Sequence, residues 1–573
     1  MAKNSTAKNT TAKRPTTKNQ TKTSTAKTST AKTSTAKNPT AKKPTTKNST
    51  AKRSAAKRST TQAPTAKRSA AKKAPAKKPT TPRPTRTPSS AEHQATAPRK
   101  AEHPYVAERA ARGKAARLQT PRASHRGWEP AADRPDPVAL IEEQNRTRVP
   151  DLVPVRHGRM MASPFTFYRG AAKIMATDLK DTPRAGLIVQ LCGDAHLSNF
   201  GVFASPERNL LFDLNDFDET LPGPFEYDVL RMTASFTIAA RNNGFSAADI
   251  RKVTLEAVRS YREGMAQFAS MRTMDIWYAK MTEEEMLAAM DMARATQKGK
   301  LARKTSKALE KNVLKNAAKA RSRDSMQALS KLAELVDGQY RIISQPPIVM
   351  PVRDVAQSLG LSPDEIQAAV LEQLRSYRET LQDDRRRLLE RFEVVDVAHK
   401  VVGVGSVGNR AFIALLQGRD EQDPLFLQVK EATASVLEDH LPKSIYEQPG
   451  ERVVQGQRMM QAASDIFLGW TKGVQADRYL YWRQLRDMKG SAIVEAMVPM
   501  GMNLYAHACG WTLARAHARS GDPVAIAAYL GKSDKFDRAI TDFSNRYADQ
   551  NEKDYEAFLE AVHTGWLEAR EGV

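Results

Sequence analysis

The first 90 residues of this chain contain no large apolar side chain other than Met1, and this absence limits which part can fold. The segment consists of Ala, Lys, Arg, Thr, Ser, Pro, Asn and Gln in loose repeats. Such a composition buries too little apolar surface to offset the chain entropy that folding removes. We therefore predict a disordered tail over residues 1–90, which leaves residues 91–573 to build the fold.

The positive charge of the chain is concentrated in the same segment. Residues 1–90 carry 24 Lys and Arg and no acidic residue, which leaves +2 for residues 91–573 out of a net +26. An extended polycation matches a phosphate backbone and binds it through counterion release, without sequence preference. We predict that the tail binds DNA or RNA non-specifically. The alternative is a solvated tail without a dedicated partner.

Cysteine content and hydropathy bear on the cellular location. The chain has two cysteines, Cys192 and Cys509, which argues against a disulfide-stabilised secreted protein. No apolar stretch approaches the roughly 18–20 residues of a membrane span, and residues 1–30 lack the apolar core of a secretory signal. We expect a cytoplasmic protein without membrane association, and a nucleoid-associated one where the tail contacts DNA.

Hydrophobic periodicity after the tail predicts helices, then strands, then helices again. Apolar runs at 394–402, 411–416 and 425–429, separated by turn-like segments, predict a three-stranded meander. A helix at 432–441 and two further strands at 466–468 and 479–482 follow. This order favours an α+β fold with two lobes. The predicted segments are a disordered tail (1–90), a linker with a partial helix at 101–117 (91–150), the part of the large lobe with two acidic clusters (151–240), its helical part (241–390, with a helix reaching residue 336), a small β-rich lobe (391–490) and C-terminal helices (491–573), with order beginning near Asp151.

Two acidic clusters follow short apolar runs in the first part of the large lobe. In Gly-Asp-Ala-His-Leu-Ser-Asn at 193–199, Asp194 and Asn199 have the spacing of the catalytic Asp and the metal-binding Asn in kinases. The sequence Asp-Leu-Asn-Asp-Phe-Asp-Glu at 213–219 then places Asp216 where kinases have a metal-binding Asp. Phosphoryl transfer needs a carboxylate to orient the acceptor hydroxyl and oxygen ligands for Mg²⁺. We predict Asp194 as catalytic base, Asn199 and Asp216 as Mg²⁺ ligands, and Asp213 as a further candidate ligand.

Other interpretations of these clusters remain open. Asp and Asn also favour N-caps and Asx-turns, and His196 with Asp194, Asp213 or Asp216 is also compatible with a hydrolytic metal site. In the phosphotransferase interpretation, His196 shapes the loop rather than transferring protons. Asp218 departs from the kinase pattern, because it takes the place of a glycine.

A glycine-rich segment with a downstream lysine forms the second motif. The spacing Gly403-x-Gly405-x-x-Gly408 alone is weak, because hairpin glycines or a dinucleotide fingerprint give the same pattern. The dinucleotide interpretation requires a following helix, whereas residues 411–416 indicate a strand. A strand, a glycine loop and two strands, with Lys430 on the last, is the arrangement that kinases use to bind ATP.

The kinase arrangement predicts how individual residues of the glycine segment contact ATP. We predict that the backbone around Ser406 covers the phosphates of ATP and that Lys430 pairs with those phosphates. Glu438, on the predicted helix at 432–441, is the candidate partner of Lys430. The alternative for Lys430 is an edge-strand lysine.

The two motifs stand in the opposite order to that of kinases. In aminoglycoside kinase-like enzymes a helix similar to residues 509–518 directly precedes the catalytic loop, whereas here the chain ends soon after it. The chain therefore looks like a circularly permuted protein-kinase-like fold, a rearrangement that is tolerated where termini meet at the surface.

Four segments carry a resemblance to a known family. They are Phe-Thr-Phe-Tyr-Arg-Gly at 165–170, Gly-Asp-Ala-His-Leu-Ser-Asn-Phe-Gly at 193–201, residues 212–224 and residues 403–430. These segments resemble the bacterial DUF2252 family, a domain of unknown function that is grouped with kinase-like proteins. The resemblance covers roughly residues 145–570 and implies a kinase-like fold and nucleotide binding.

The resemblance also bears on Arg169 and Asp228, which lie in matching segments. Asp228 resembles the structural Asp that follows the metal loop of small-molecule kinases. The expected function is ATP- and Mg²⁺-dependent phosphoryl transfer to an unidentified small-molecule or protein acceptor. The alternatives are nucleotidyl transfer on the same fold and a nucleotide-binding pseudoenzyme or scaffold that its tail tethers to DNA.

Overall fold

The computed structural model describes residues 105–288, 300–354, 362–401, 403–474, 477–485 and 487–572. The predicted disorder of residues 1–90 lies outside the described residues. The helices are α1 (Val106–Gln119), α2 (Pro137–Asn145), α3 (Val153–Met161), α4 (Pro164–Gly170), α5 (Ala172–Leu179), α6 (Phe225–Asn242), α7 (Ala247–Ala269), α8 (Thr273–Tyr278), α9 (Lys300–Arg321), α10 (Ser325–Leu332), α11 (Pro363–Glu379), α12 (Asp383–Leu389), α13 (Pro449–Met460), α14 (Pro499–Ser520), α15 (Pro523–Leu530) and α16 (Lys535–His563). The strands are β1 (Ile188–Leu191), β2 (Phe200–Ala204), β3 (Leu210–Leu214), β4 (Leu221–Pro224), β5 (Met281–Thr282), β6 (Ala333–Val336), β7 (Gln339–Ile342), β8 (Val349–Pro351), β9 (Glu393–Lys400), β10 (Ala411–Gln417), β11 (Pro424–Glu431), β12 (Gly469–Lys472), β13 (Tyr479–Gln484) and β14 (Gly490–Ser491).

The folded part begins well before Asp151, so the predicted boundary is wrong. Helix α1 packs so closely on α15 that a Cβ added to Gly113 would lie 2.0 Å from the carbonyl oxygen of Ala525. Arg109 anchors the same contact by donating from Nε to Asp522 at 2.9 Å. The helix predicted at 101–117 is therefore part of the packed body. Its contact relies on small residues and an ion pair, which give little hydrophobic signal in the sequence.

The largest sheet contains the predicted meander and extends it on both sides. Its strand order is β12-β13-β11-β10-β9-β8, and the neighbours pair in antiparallel fashion. The run at 466–468 precedes β12 rather than forming it. The carboxylate of Asp465 accepts from the N–H of Phe467 at 2.8 Å and turns the chain there. The edge strand β8 was not predicted, since three residues give no usable pattern.

A second difference concerns the helix predicted to reach residue 336. Helix α10 ends at Leu332, and β6 and β7 form an antiparallel hairpin. The turn between them is Asp337-Gly338, with φ of 51° and 77°. Asp-Gly with both residues at positive φ is the preferred sequence of a two-residue hairpin turn, so the local turn chemistry overrides the helical pattern.

Alternation along the strands gives the large sheet two apolar faces. Leu416 and Leu427 on one face pack with Tyr377 of α11. Ile413 and Phe426 on the other face pack with α10 and the β6–β7 hairpin. The sheet is therefore covered on both faces, and its strands are held in one register.

Helices form the largest core, which lies around β1 to β4. Helix α14 crosses α7 at close range, since a Cβ on Gly510 would lie 2.3 Å from the carbonyl oxygen of Ala257. Tyr261 of α7 and His517 of α14 are both fully buried there and joined by a 2.9 Å hydrogen bond. Within the described ranges, no helix combines the length and apolar character that a membrane crossing requires.

Candidate functional site

Two loops meet at one edge of the core because of the strands that flank them. The first acidic loop (192–199) connects β1 to β2, and the second acidic loop (215–220) connects β3 to β4. Since β1 pairs with β4 and β2 pairs with β3, both loops start and end at neighbouring strand ends. The backbone N–H of Asn215 donates to the carbonyl of Asn199 at 2.8 Å, which joins the two loops directly.

The start of the first acidic loop is fixed from two sides. Gly193 has φ of +85°, and a Cβ there would lie 2.1 Å from the carbonyl oxygen of Glu219, so only glycine fits. The carboxylate of Asp228 accepts from the N–H groups of Cys192 at 2.8 Å and Gly193 at 3.0 Å. His517 lies 3.2 Å from the same carboxylate. Asp228 thus holds loop backbone and contributes nothing to the cavity wall.

Asp194 is held as an oriented carboxylate. Its Oδ1 accepts from Nε of Arg231 at 2.7 Å, and Arg231 also donates to the carbonyl of Tyr168 at 2.8 Å. Burial opposes ionisation of Asp194, but the charge of Arg231 outweighs it, so the pKa of the carboxyl is lowered. Asp194 is therefore ionised at neutral pH and suited to accept a hydrogen bond from a hydroxyl.

His196 and Asn199 flank this carboxylate. Nε2 of His196 lies 3.6 Å from Oδ2 of Asp194, and burial lowers the pKa of the imidazole to about 3. The ring is therefore neutral, and its buried Nδ1 has no hydrogen-bond partner among the described residues. Nδ2 of Asn199 donates to the carbonyl of Asp194 at 2.8 Å, which directs the amide oxygen away from that carbonyl.

The second acidic loop contacts Lys430 on β11. Nζ of Lys430 lies 2.9 Å from Oδ2 of Asp218 and 3.7 Å from Oδ1 of Asp216. The hydroxyl of Tyr481 donates to the other oxygen of Asp218 at 2.6 Å. Burial opposes ionisation of Asp218, but Lys430 outweighs it and lowers the pKa. Burial and the neighbouring Asp218 raise the pKa of Asp216.

The glycine loop (403–409) connects β9 to β10 and is attached to the N-terminal helices. Its first and last glycines have φ of +73° and +89°. The N–H of Val149 donates to the carbonyl of Gly408 at 2.8 Å, and Arg148 donates from Nη1 to the carbonyl of Val407. The backbone N–H of Val149 and the side chain of Arg148 therefore hold the loop against the N-terminal segment.

A single cavity has both sequence motifs in its lining. The acidic loops contribute Asp194, His196, Asn199, Asp216, Asp218 and Glu219. The glycine loop contributes Gly403, Gly405 and Ser406, whereas Gly408 and Lys430 lie outside the lining. Arg148, Arg169, Gln144 and Asn409 are further polar residues of the lining. The cavity volume is about 100 Å³, well below the roughly 300–1,000 Å³ of small-molecule sites. The cavity in this state admits a small polar group rather than a whole nucleotide.

The prediction that Glu438 holds Lys430 is wrong. Glu438 lies 3.7 Å from Nε of Arg452 and accepts from the N–H of Ser435 at 3.2 Å. The segment predicted as a helix at 432–441 contains one 3-10 turn, Val436–Asp439, which Ser435 and Glu438 cap reciprocally. The capping interaction takes up the carboxylate, and the acidic loops supply the partners of Lys430.

Asp213, which was predicted as a candidate metal ligand, does not line the cavity. Its carboxylate is 1% exposed. It forms an ion pair with Arg515 and accepts from the N–H of Ala462 at 2.9 Å. These partners, which come from two helical regions far along the chain, make Asp213 a structural anchor.

Four residues with contacts at the site escaped the sequence interpretation. Arg148 and Glu219 line the cavity, while Arg231 and Tyr481 orient its carboxylates. Burial raises the pKa of Glu219 to about 7, so its carboxyl titrates near neutrality. Glu219 is the last residue of the acidic segment 213–219, so its place at the site could have been predicted from the sequence. Arg231 and Tyr481 lie in ordinary helical and strand patterns and Arg148 lies in a short connection, so these three carry no local signal.

The polar lining offers oxygen ligands that are relevant to Mg²⁺. No group of three or more His, Cys, Asp or Glu in the described part of the chain is arranged to hold a metal ion by itself. Mg²⁺, however, commonly binds through one or two protein oxygens together with substrate phosphates and water. Asn199 and Asp216, both in the lining, supply oxygens of that kind. The residues fit a metal that arrives with a phosphate ligand.

The fold is mixed α+β. Two motifs that are far apart in the sequence line one cavity, together with acidic and arginine side chains. The family model for an uncharacterized protein conserved in bacteria (DUF2252) matches residues 148–561. The chain belongs to the DUF2252 family. No curated protein and no solved structure is significantly similar to it.

Proposed function

We propose that the protein is an ATP- and Mg²⁺-dependent phosphotransferase with a circularly permuted kinase-like fold. The observation that supports this proposal is the shared cavity of the acidic loops and the glycine loop, with Lys430 bridging to Asp216 and Asp218. A carboxylate beside an amide, a second carboxylate pair, a lysine and a glycine loop are the parts that phosphoryl transfer uses.

Each group has a role that follows from its contacts. Asp194, ionised and oriented by Arg231, accepts the hydrogen bond of the acceptor hydroxyl. Asn199 and Asp216 hold Mg²⁺, which neutralises charge on the nucleotide phosphates. Lys430 moves from its carboxylates to the phosphates, and backbone N–H groups of the glycine loop cover them.

These groups account for the bond formed, the bond broken and the proton released in the transfer step. The acceptor oxygen bonds to the γ-phosphorus as the bond to the β,γ-bridging oxygen breaks. ADP leaves with that electron pair, and the hydroxyl proton passes by way of Asp194 to solvent. Because the cavity of about 100 Å³ is too small for ATP, the glycine loop lifts from Val149 and Arg148 to admit it.

The deciding experiment compares the full chain with its Asp216→Asn variant. Mg-ATP binding is measured by calorimetry, and transfer of label from γ- and α-labelled ATP is measured against a metabolite panel. The unchanged chain should bind ATP only with Mg²⁺, and Asp216→Asn should weaken binding roughly 10–100-fold. Asp181→Asn, an exposed carboxylate, is the matched control.

The other outcomes either contradict the proposal or favour one of its alternatives. Failure of the unchanged chain to bind Mg-ATP contradicts the proposal. Binding without turnover of any acceptor favours a pseudoenzyme or scaffold. Transfer of the α-label and not of the γ-label indicates nucleotidyl transfer on the same fold.

For the tail we propose a separate role, non-specific binding of DNA or RNA. The observation in favour is the placement of 24 Lys and Arg without one acidic residue in residues 1–90. Binding of this kind depends on backbone charge alone and weakens steeply with salt. The role does not depend on the cavity.

A further inference from the structure

Two arginines at the cavity have no carboxylate partner. Arg148 and Arg169 both line the cavity, and the Nε atom of each is buried without a hydrogen-bond partner among the described residues. Arg148 is 7% exposed, and its guanidinium donates to the carbonyl of Val407 alone among the described residues. No described carboxylate lies within ion-pair distance of either guanidinium.

Each carboxylate in the cavity lining has a partner other than the two arginines, and Asp216 shares Lys430 with Asp218 at 3.7 Å. Asp194 is paired with Arg231 at 2.7 Å, and Asp218 with Lys430 at 2.9 Å. Glu219 accepts from a backbone N–H, and burial keeps its carboxyl partly protonated near neutral pH, with a pKa of about 7. The two arginines are therefore not required to neutralise the acidic loops.

A buried charge without a partner is costly, and a bound ligand of opposite charge removes that cost. Burial lowers the pKa of Arg148 to about 10, which reflects this cost directly. Guanidinium groups present a planar fork of donors that matches phosphate and carboxylate oxygens. Two such groups beside one cavity suit an anionic ligand.

The backbone segments that carry the two arginines border the glycine loop. Arg148 contacts Val407, and a Cβ on Gly405 would lie 3.0 Å from the carbonyl oxygen of Arg169. Lys430, to which the nucleotide phosphates are assigned, is instead paired with the second acidic loop. Lys430 lies outside the cavity lining, so the two arginines are cationic groups separate from the one assigned to the nucleotide phosphates.

We propose that Arg148 and Arg169 bind an anionic group, phosphate or carboxylate, on the acceptor substrate. This inference rests on the proposed phosphotransferase function and names its substrate class. The acceptor is an alcohol that carries its own negative charge, such as a sugar phosphate or a hydroxy acid. Cationic alcohols such as amino sugars or choline do not fit, since the guanidinium groups of the buried Arg148 and the half-buried Arg169 repel them.

The binding test uses inorganic phosphate and acetate as probes on the full chain. Each probe is titrated by calorimetry into protein alone and into protein saturated with Mg²⁺ and a non-hydrolysable ATP analogue. Binding should persist with the analogue present, and Arg169→Gln should weaken it at least about 10-fold. Tighter binding of phosphate or of acetate identifies the anion. Arg146→Gln, two residues from Arg148 and exposed, is the matched control.

The outcomes separate this inference from the proposed function. Probe binding that depends on Arg169 while no Mg-nucleotide binds contradicts the phosphotransferase and keeps the anion site. Probe binding that the analogue abolishes assigns the arginines to the γ-phosphate and overturns the acceptor subsite. No binding of either probe to the folded chain overturns it as well. Arg169→Lys, which keeps the charge, should recover part of the affinity and excludes misfolding as the cause.

The last arm uses γ-labelled ATP with two panels of alcohols. Label should pass to anionic alcohols, with the KM of the acceptor raised at least about 10-fold in Arg169→Gln and the KM of ATP unchanged. Transfer to a cationic alcohol that is unaffected by Arg169→Gln overturns the proposal.

Discussion

Nζ of Lys430 lies 2.9 Å from Oδ2 of Asp218, across 212 residues of sequence. The ammonium lies among Asp216, Asp218 and Tyr481, and it is 6% exposed. Burial lowers the pKa of a lysine, but the two carboxylates outweigh burial here and raise the pKa of Lys430. The ion pair therefore stays charged, and it joins β11 of the large sheet to the second acidic loop.

Replacement of Lys430 tests whether this side chain binds the phosphates of ATP. We expect Lys430→Met to weaken Mg-ATP binding roughly 10–100-fold, because a charge-assisted contact to phosphate is lost. Calorimetry on the full chain measures the change. Lys430→Arg should retain the melting temperature and still bind poorly, whereas the exposed Lys472→Met should match the unchanged chain. Equal affinity in Lys430→Met contradicts the assignment.

Gly193 provides a test of the contact between the acidic loops. Gly193→Ala places a Cβ 2.1 Å from the carbonyl of Glu219, so the loops must separate. Gly186→Ala is a matched control with φ of +70° and open space around it. We expect Gly186→Ala to cost about 1 kcal/mol of unfolding free energy from backbone strain alone. Gly193→Ala should cost more, at least about 2 kcal/mol, and should also weaken Mg-ATP binding. Equal behaviour of the two variants in urea unfolding contradicts this contact.

Asp213 is expected to act on stability and not on binding. Asp213→Asn leaves Arg515 buried without its counter-charge, which typically costs about 3–5 kcal/mol. The melting temperature should fall, while the folded fraction at low temperature binds Mg-ATP with unchanged affinity. If Asp213→Asn weakens Mg-ATP binding without a loss of stability, the result supports Asp213 as a metal ligand.

Glu226 gives the fold a pH dependence away from the cavity. Its carboxyl is fully buried, accepts from the N–H of Ala185 at 2.7 Å, and has a pKa raised by burial from its ordinary 4.5 to about 7. The folded state thus binds a proton that the unfolded state has lost between these pH values. Stability is fully present below pH 4.5 and falls as pH rises through 7, by up to about 3 kcal/mol. Urea unfolding at pH 5 and pH 8 should show this fall, and Glu226→Gln should reduce it. An unchanged slope in Glu226→Gln contradicts the assignment.

The tail is tested by deletion. A chain that lacks residues 1–90 retains every described residue and loses 24 positive charges. We expect its affinity for a DNA duplex of arbitrary sequence to fall at least about 10-fold at 50 mM salt, with a flatter salt dependence. Fluorescence anisotropy measures both. An unchanged affinity at low salt contradicts the role of the tail, and unchanged Mg-ATP binding shows that the cavity is independent of it.

The sequence indicated the meander and both motifs because each has a local pattern. Alternating apolar residues place β10 and β11, and the clustered acids place the two loops. The ionic partners were not accessible in this way. Arg231 and Arg515 lie on helices where arginine is common, and their partners are set by how helices pack. Glu438 was assigned by analogy with a kinase helix, and a local cap took precedence.

The ion pair between Asp213 and Arg515 has a consequence for how the chain matures during synthesis. The two residues are 302 positions apart, so at typical elongation rates Asp213 is synthesised roughly 15–60 s before Arg515. Until then the carboxylate of Asp213 can be buried only without its counter-charge, which is energetically costly. A chain truncated upstream of Arg515 lacks this counter-charge, and we expect it to be destabilised by about 3–5 kcal/mol from this loss alone.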